Sequence, residues 1–190
     1  LHRYQRYPVS AVSLKRKAVR DITGKTTWNY FRIVFNANKI LYLDNANKTR
    51  FSLRQLVKRF HAPITVNLIL LTGLAALGMP LLYLLWVVSY FSFYMFFSRI
   101  RNLAEHAAVP DLLNDDPLMN TRTTIPSWWE RLTVAPNSVC YHLEHHLVPS
   151  VPKYRLAGFH RALIKRGVLD SADISIGYVQ LVRKLIVAPT

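Results

Sequence analysis

Three histidines lie within five consecutive positions of the sequence, in the stretch YHLEHHLVPSVP. On an α-helix each residue turns about 100° around the axis, so His142, His145 and His146 fall on one face. Neutral imidazole binds iron, zinc, copper and nickel well. One histidine alone would more often be a solvated or core residue, but this HxxHH cluster predicts a metal site. The single cysteine, Cys140, excludes a zinc site built mainly from thiolates.

A fourth histidine follows a long apolar segment, in the stretch RIRNLAEH. Asn102 and His106 are four residues apart, so they share a face if the helix of that segment continues through them. An isolated histidine is more often structural than a ligand, but the position of His106, upstream of the cluster and directly after the apolar segment, favours a ligand. Metal-binding histidines also need partners that fix the orientation of their rings. The candidates for that role are Glu105, Glu144, Asp115 and Asp116, although such carboxylates are more often surface charges or loop residues.

The distribution of charge along the chain indicates a membrane protein. The formal net charge is +15 although 51% of the residues are hydrophobic, and residues 64–97 contain no Asp, Glu, Lys or Arg. So basic a chain would first suggest a nucleic-acid partner, but the uncharged block argues against one. The block is too long for one span of about 20 residues, and Gly78 and Pro80 near its middle are helix-breaking residues. We therefore predict a transmembrane hairpin with both basic flanks on the cytoplasmic side.

These elements predict an all-α, integral-membrane helical protein in three parts. Residues 1–58 form a basic juxtamembrane region, residues 59–98 the transmembrane hairpin, and residues 99–190 a cytosolic helical cap that carries the histidine cluster. The two spans are expected at about 59–77 and 80–98. The remaining predictions are helices at 13–20, 50–60, 136–147, 156–166 and 177–187, and a loop at 108–126.

Residues 99–167 resemble the membrane fatty-acid desaturase family. The resemblance rests on four stretches, RIRNLAEHA, DPLMNTRTT, APNSVCYHLEHHLVPSVPKYRL and FHRALIKRG. It implies that the HxxHH cluster is the third histidine box of a diiron site and binds iron directly. It further implies that His106 is the additional histidine found before that box, and that Asn102 holds a metal ion through water.

The resemblance also implies two further histidine boxes upstream of the third. The sequence of this chain contains neither of them. The remaining histidines, His2, His61 and His160, are isolated and complete no second cluster. We therefore expect this chain to be the C-terminal part of a larger desaturase domain, with the other iron ligands upstream of Leu1. On that interpretation the chain alone is inactive.

The resemblance implies an O2-dependent fatty acyl desaturase that introduces a double bond with the help of two iron ions. An unactivated C–H bond has no acidic proton, so a redox metal has to supply the chemistry. The implied partners are a fatty acyl lipid or acyl thioester, O2, membrane lipids, and an electron donor such as ferredoxin or cytochrome b5. We expect an integral protein of the bacterial inner membrane rather than of the endoplasmic reticulum, with the histidine box on the cytoplasmic side.

Two alternatives remain open from the sequence. A lipid, alkane or carotenoid hydroxylase or ketolase is built on the same histidine scaffold, and the ligand motif does not separate oxygen insertion from desaturation. A non-catalytic membrane protein with a structural zinc site is the other alternative, because coordination by histidine also suits zinc. Analysis of products and of metal content distinguishes the three.

Overall fold

The computed structural model describes residues 4–40 and 53–187. Within them the protein is mostly helical, as predicted, with two pairs of short parallel strands that the sequence analysis does not predict. The described residues belong to two compact units, one from Leu1–Ala18 with Phe96–Thr190 and the other from Val19–Met95. All the predicted metal ligands lie in the first, which we call the histidine-bearing unit.

The unit Val19–Met95 is helical wherever the structure describes regular elements in it. It contains the end of α1 (Ala11–Ile22), then α2 (Lys25–Ile40), α3 (Leu53–Ala76) and α4 (Leu82–Val88). The chain turns between α3 and α4 at the predicted break. Gly78 adopts φ 73° there, a left-handed conformation that favours glycine, and Pro80 follows two residues later.

One polar side chain, Asn67, joins α3 to α4. Its carboxamide oxygen accepts hydrogen bonds from the Tyr83 hydroxyl at 3.0 Å and from the Trp86 indole N–H at 2.9 Å. Its NH2 group donates to the backbone carbonyl of Pro63 at 2.8 Å. Both ends of this polar group therefore have partners inside the protein.

α4 runs without a break through a π-helical turn, Ser89–Phe93, into α5 (Tyr94–His106). Among the residues that the structure describes, the combined helix Leu82–His106 is the one that is long and apolar enough to cross a membrane. The apolar part of α3, Phe60–Ala76, is shorter. The helix thus continues past the apolar block to the predicted ligand His106, while the transmembrane hairpin stays a prediction.

The histidine-bearing unit combines short helices with the two strand pairs. β1 (Val9–Ser10) pairs with β4 (Ile186–Val187), and β2 (Thr123–Ile125) pairs with β3 (Ile174–Ile176), both in parallel. Its further helices are α6 (Pro117–Asn120), α7 (Trp128–Thr133), α8 (His142–Leu147), α9 (Leu156–Lys165) and α10 (Tyr178–Lys184).

The prediction of a loop over residues 108–126 is wrong in its second half, which contains α6 and β2. α6 begins there because Pro117 suits the first turn of a helix and the Asp116 carboxylate accepts the Leu118 amide at 2.9 Å. The β-branched run from Thr123 onward suits the short strand β2.

The helix predicted over residues 136–147 is correct only in its second half. Asn137 and Ser138 adopt φ of 57° and 63°, and such residues interrupt a right-handed helix. The regular helix therefore begins at His142, the first histidine of the cluster.

The other helix predictions hold with small changes of boundary. Residues 13–20 lie within α1, and the helix predicted at 156–166 is α9, followed by Gly167 at φ 69°. The helix predicted at 177–187 is α10, which gives way to β4 at its end. Of the helix predicted at 50–60, the first three residues lie outside the described residues and the rest belong to α3.

Buried apolar residues hold the histidine-carrying helices in place. One cluster joins Ala104 on α5 to Tyr141, which directly precedes α8, and to Tyr178 on α10. A second cluster joins Leu143 on α8 to Leu163 on α9. The end of α5 and the whole of α8 are therefore anchored by packing, and the histidines project from anchored backbone.

Glu130 joins α7 to α10 through a buried carboxylate. One oxygen accepts the Ser127 backbone N–H at 2.9 Å and the Ser127 hydroxyl at 2.8 Å, and the other accepts the Val179 N–H at 3.0 Å. Burial alone would raise the pKa of Glu130, but these donors outweigh it and hold the pKa below the ordinary value of 4.5. The ionised form is thus the one that the fold stabilises.

Because the pKa of Glu130 is lower in the folded chain, its stabilising effect is present above the ordinary pKa and is lost as the pH falls through the folded-state pKa. We expect Glu130→Gln to lower the unfolding free energy by about 1–2 kcal/mol at neutral pH. That difference should shrink in acid, since protonation removes the charge from the unsubstituted chain. Thermal unfolding in detergent at neutral and acidic pH measures it. A difference that stays constant into acid would contradict the role of the charge.

Candidate metal centre

Three of the predicted ligands come together in the structure. His142 and His146 lie one turn apart on α8, and His106 is the last residue of α5. One ring nitrogen from each lies within 4.8 Å of the others. The Nε2 atom of His142 is 3.1 Å from Nε2 of His106 and 3.0 Å from Nε2 of His146. We call these residues the three-histidine cluster.

Hydrogen bonding alone does not explain why these nitrogens converge. In a neutral imidazole each ring nitrogen carries either one proton or one lone pair, so Nε2 of His142 can serve only one of its two contacts. A metal ion bound at about 2.1 Å holds two nitrogens at right angles about 3.0 Å apart. The observed separations match that spacing, so the three-histidine cluster fits one metal ion.

The surroundings keep the central imidazole neutral. Burial, reinforced by the neighbouring histidines and Arg101, lowers the pKa of His142 to about 3. Burial and the adjacent His145 also lower the pKa of His146 from its ordinary value. A metal ion binds the neutral ring through its lone pair, so protons compete weakly for these two nitrogens at physiological pH.

Two oxygen atoms lie near the Nδ1 atoms of the cluster. Nδ1 of His106 lies 3.4 Å from the backbone carbonyl oxygen of Asn120, to which its N–H can donate. Nδ1 of His142 lies 3.8 Å from a carboxylate oxygen of Glu105, one of the predicted orienting partners, which is close but beyond hydrogen-bond distance. A partner on Nδ1 leaves Nε2 as the metal-binding atom. The Asn120 carbonyl was missed because a backbone acceptor carries no signal in residue type.

The other two predicted ligands lie outside the three-histidine cluster. His145 is exposed, and its ring centre is 6.4 Å from that of His142. Together with Asn102, His145 lines a cleft of about 470 Å³ that also includes Glu105 and His142. It therefore stays a prediction that His145 binds a metal ion directly and that Asn102 holds one through water. Both side chains line this neighbouring cleft.

The Glu144 carboxylate, another candidate for orienting a ligand, is bound by other groups. Its fully buried carboxylate accepts a hydrogen bond from the Thr123 hydroxyl at 2.5 Å and another from Nδ1 of His160. Glu144 therefore ties α8 to β2 and α9. Of the other candidates, Asp116 caps α6 and Asp115 is exposed.

The other two histidines that the structure describes, His160 and His61, take no part in the three-histidine cluster. His160 is buried and engaged with Glu144, as just described. His61 is exposed on α3, where its Nδ1 lies 2.7 Å from the Lys58 carbonyl oxygen. His2 lies outside the described residues.

The geometry places this chain among helical proteins with a three-histidine cluster suited to a metal ion. Comparison with known sequences identifies the group: the chain belongs to the fatty acid desaturase family, whose model matches residues 3–176. The family is membrane-associated. A similar protein is the dihydrorhizobitoxine desaturase of Bradyrhizobium elkanii, 27% identical over 132 residues. That match covers 65% of this chain and 37% of the relative, and no solved structure matches.

Proposed function

We propose that this chain supplies part of the metal centre of an O2-dependent fatty acyl desaturase. The observation that carries the proposal is the convergence of three Nε2 atoms, at 3.0 and 3.1 Å, in a chain of the fatty acid desaturase family. Iron bound there would supply the redox chemistry needed to remove hydrogen from two adjacent unactivated carbons.

The residues of this chain hold and orient the centre. His106, His142 and His146 would bind one iron ion through Nε2, and His145 with Asn102 would contribute to a second ion in the adjoining cleft. The ligand set is incomplete, so other histidines of the complete protein, upstream of these residues, would supply the rest. The Asn120 carbonyl would keep the His106 ring in the tautomer whose Nε2 binds the metal, and Glu105 lies beside Nδ1 of His142.

The proposed location follows from the apolar helix that carries the site. His106 ends the helix Leu82–His106, so a membrane-embedded α4 and α5 would bring the three-histidine cluster close to the bilayer. An acyl substrate dissolved in that bilayer then reaches the centre without crossing water. The proposal further includes a transmembrane hairpin at 59–98 with both basic flanks on the cytoplasmic side. It also includes an electron donor such as ferredoxin or cytochrome b5.

The test is product analysis with isotopically labelled substrate. The complete coding sequence is expressed in a host that lacks desaturases, and the cells receive a perdeuterated saturated fatty acid under air. We expect a product that has lost two deuterium atoms from adjacent carbons, and no product in the absence of O2. Membranes carrying His142→Ala serve as the matched control for background conversion.

The other outcomes separate the competing functions. A product that has gained oxygen would replace desaturation by hydroxylation on the same scaffold. Purified protein that holds zinc, contains no iron and makes no product would contradict the enzymatic proposal and favour a structural zinc site.

A further inference from the structure

Arg122 is a buried guanidinium at the C-terminal end of α5. Its side chain is 4% exposed. Nη1 donates to the carbonyl oxygens of Ala104 at 3.3 Å and Ala107 at 3.1 Å, and Nη2 donates to that of Ala108 at 2.9 Å. The last carbonyls of a helix have no partners within the helix, and a positive charge at this end is favourable. Arg122 therefore caps the helix that presents His106.

Asp173 fixes the guanidinium from the opposite side. Its carboxylate oxygen Oδ2 lies 2.6 Å from Nε and 2.5 Å from Nη2 of Arg122. The residues that follow, Thr123 and Ile174, are paired in the β2–β3 ladder, and the Thr123 amide donates to the Asp173 carbonyl at 3.2 Å. The strand pair thus holds the arginine and its counter-ion in register, which a buried charge requires.

The two residues before Arg122 contact the same end of α5. The Thr121 hydroxyl donates to the Glu105 carbonyl at 3.1 Å, and the Asn120 carbonyl is the oxygen that Nδ1 of His106 approaches. Ala108 adopts φ 51°, a left-handed conformation typical of the residue that follows a helix. All three residues of the segment 120–122 therefore contact the last turn of α5, from which the His106 ring projects.

We propose that Arg122, held by Asp173, is a positioning residue that sets the place of His106 in the three-histidine cluster. This inference rests on the proposed metal-binding function. Only arginine has a planar fork of five N–H donors, which here serves three carbonyls and a carboxylate at once. Lysine keeps the charge, but all its N–H donors lie on one nitrogen atom and do not form a planar fork. The conservative variant therefore separates charge from geometry.

The first test is a titration of the metal-free chain with Co²⁺ in detergent. We expect Arg122→Gln to weaken binding about 10- to 100-fold, the usual cost of losing support behind a ligand, with Arg122→Lys and Asp173→Asn in between. Arg131→Gln, at an exposed arginine on α7, is the matched control and should bind like the unsubstituted chain.

A double-substitution cycle with His106→Ala separates positioning from a general loss of structure. If Arg122 acts through His106, Arg122→Gln causes no further loss of affinity once His106 is alanine. An equal loss in both backgrounds would mean that Arg122 merely supports the fold, and would overturn the proposal.

A second measurement needs no metal. Nitrogen NMR of the metal-free chain reports which ring nitrogen of His106 carries the proton, and amide exchange reports the Ala107 N–H that closes α5. We expect a single Nδ1-protonated form and a protected amide, with both lost in Arg122→Gln and retained in Arg131→Gln. Unchanged signals in Arg122→Gln would overturn the proposal. A chain that binds no Co²⁺ while showing these changes would contradict the proposed metal site and leave the positioning role standing.

Discussion

Replacing His142 with alanine is expected to weaken metal binding more than replacing either other member of the three-histidine cluster. Its Nε2 is the atom that approaches both partners, at 3.1 and 3.0 Å. Removing it leaves two imidazoles, His106 and His146, whose ring centres are 5.9 Å apart. Loss of an orienting partner alone typically costs 10- to 100-fold in affinity, so losing this ligand is expected to cost about 100-fold or more. Titration of the metal-free chain with Co²⁺, followed by visible absorption, measures the change.

Two further variants are compared with His142→Ala. His61→Ala removes an exposed histidine whose contact is the Lys58 carbonyl, so binding should not change. His145→Ala removes a histidine beside the cluster and should have an effect smaller than that of His142→Ala. A His142→Ala chain that binds Co²⁺ as tightly as the His61→Ala chain would rule out the three-histidine cluster as a metal site.

Helical spacing predicted that all three histidines of α8 could share an ion, and the structure brings two of them, His142 and His146, into the three-histidine cluster. Four residues advance the helix by about 400°, which places His142 and His146 only about 40° apart, whereas His145 lies about 60° to the other side. The structure accordingly brings the first two together and directs His145 towards the neighbouring cleft. The start of the helix was placed too early because the left-handed residues Asn137 and Ser138 have no distinctive spacing.

Long-range contacts could not be derived from the pattern. His106 and His142 are 36 positions apart, and their approach depends on how the chain returns through α6, β2 and α7. Both histidines were predicted as ligands from the sequence, His106 because it directly follows an apolar segment. The supports behind them are backbone carbonyls and a capping arginine, whose roles depend on where the chain runs and not on residue type. For the same reason the sequence could not identify Thr123 and His160 as the partners of Glu144.

Substitution of Glu144 is expected to have the largest effect on stability. Its carboxylate has no exposed surface and is shared between the Thr123 hydroxyl and Nδ1 of His160, which is itself buried. Removing one partner of a buried, hydrogen-bonded pair leaves the other polar group without compensation and typically costs 3–5 kcal/mol. We therefore expect Glu144→Ala to lower the unfolding free energy of the histidine-bearing unit by about 3 kcal/mol, with a comparable loss for His160→Ala. Chemical unfolding in detergent, followed by circular dichroism, measures both.

The double variant distinguishes a tie between helices from a role at the metal. Because Glu144 and His160 are each other's partners, the two losses should not add, and the coupling should be about 2 kcal/mol. Asp115→Asn, at an exposed carboxylate, is the control and should change stability by less than about 0.5 kcal/mol. If Glu144 instead oriented a ligand histidine, Glu144→Ala would weaken Co²⁺ binding in a chain of unchanged stability, and His160→Ala would leave binding intact. The buried contacts predict the opposite order: stability falls first and equally in both variants, and metal affinity falls only because α8 is no longer held against β2 and α9.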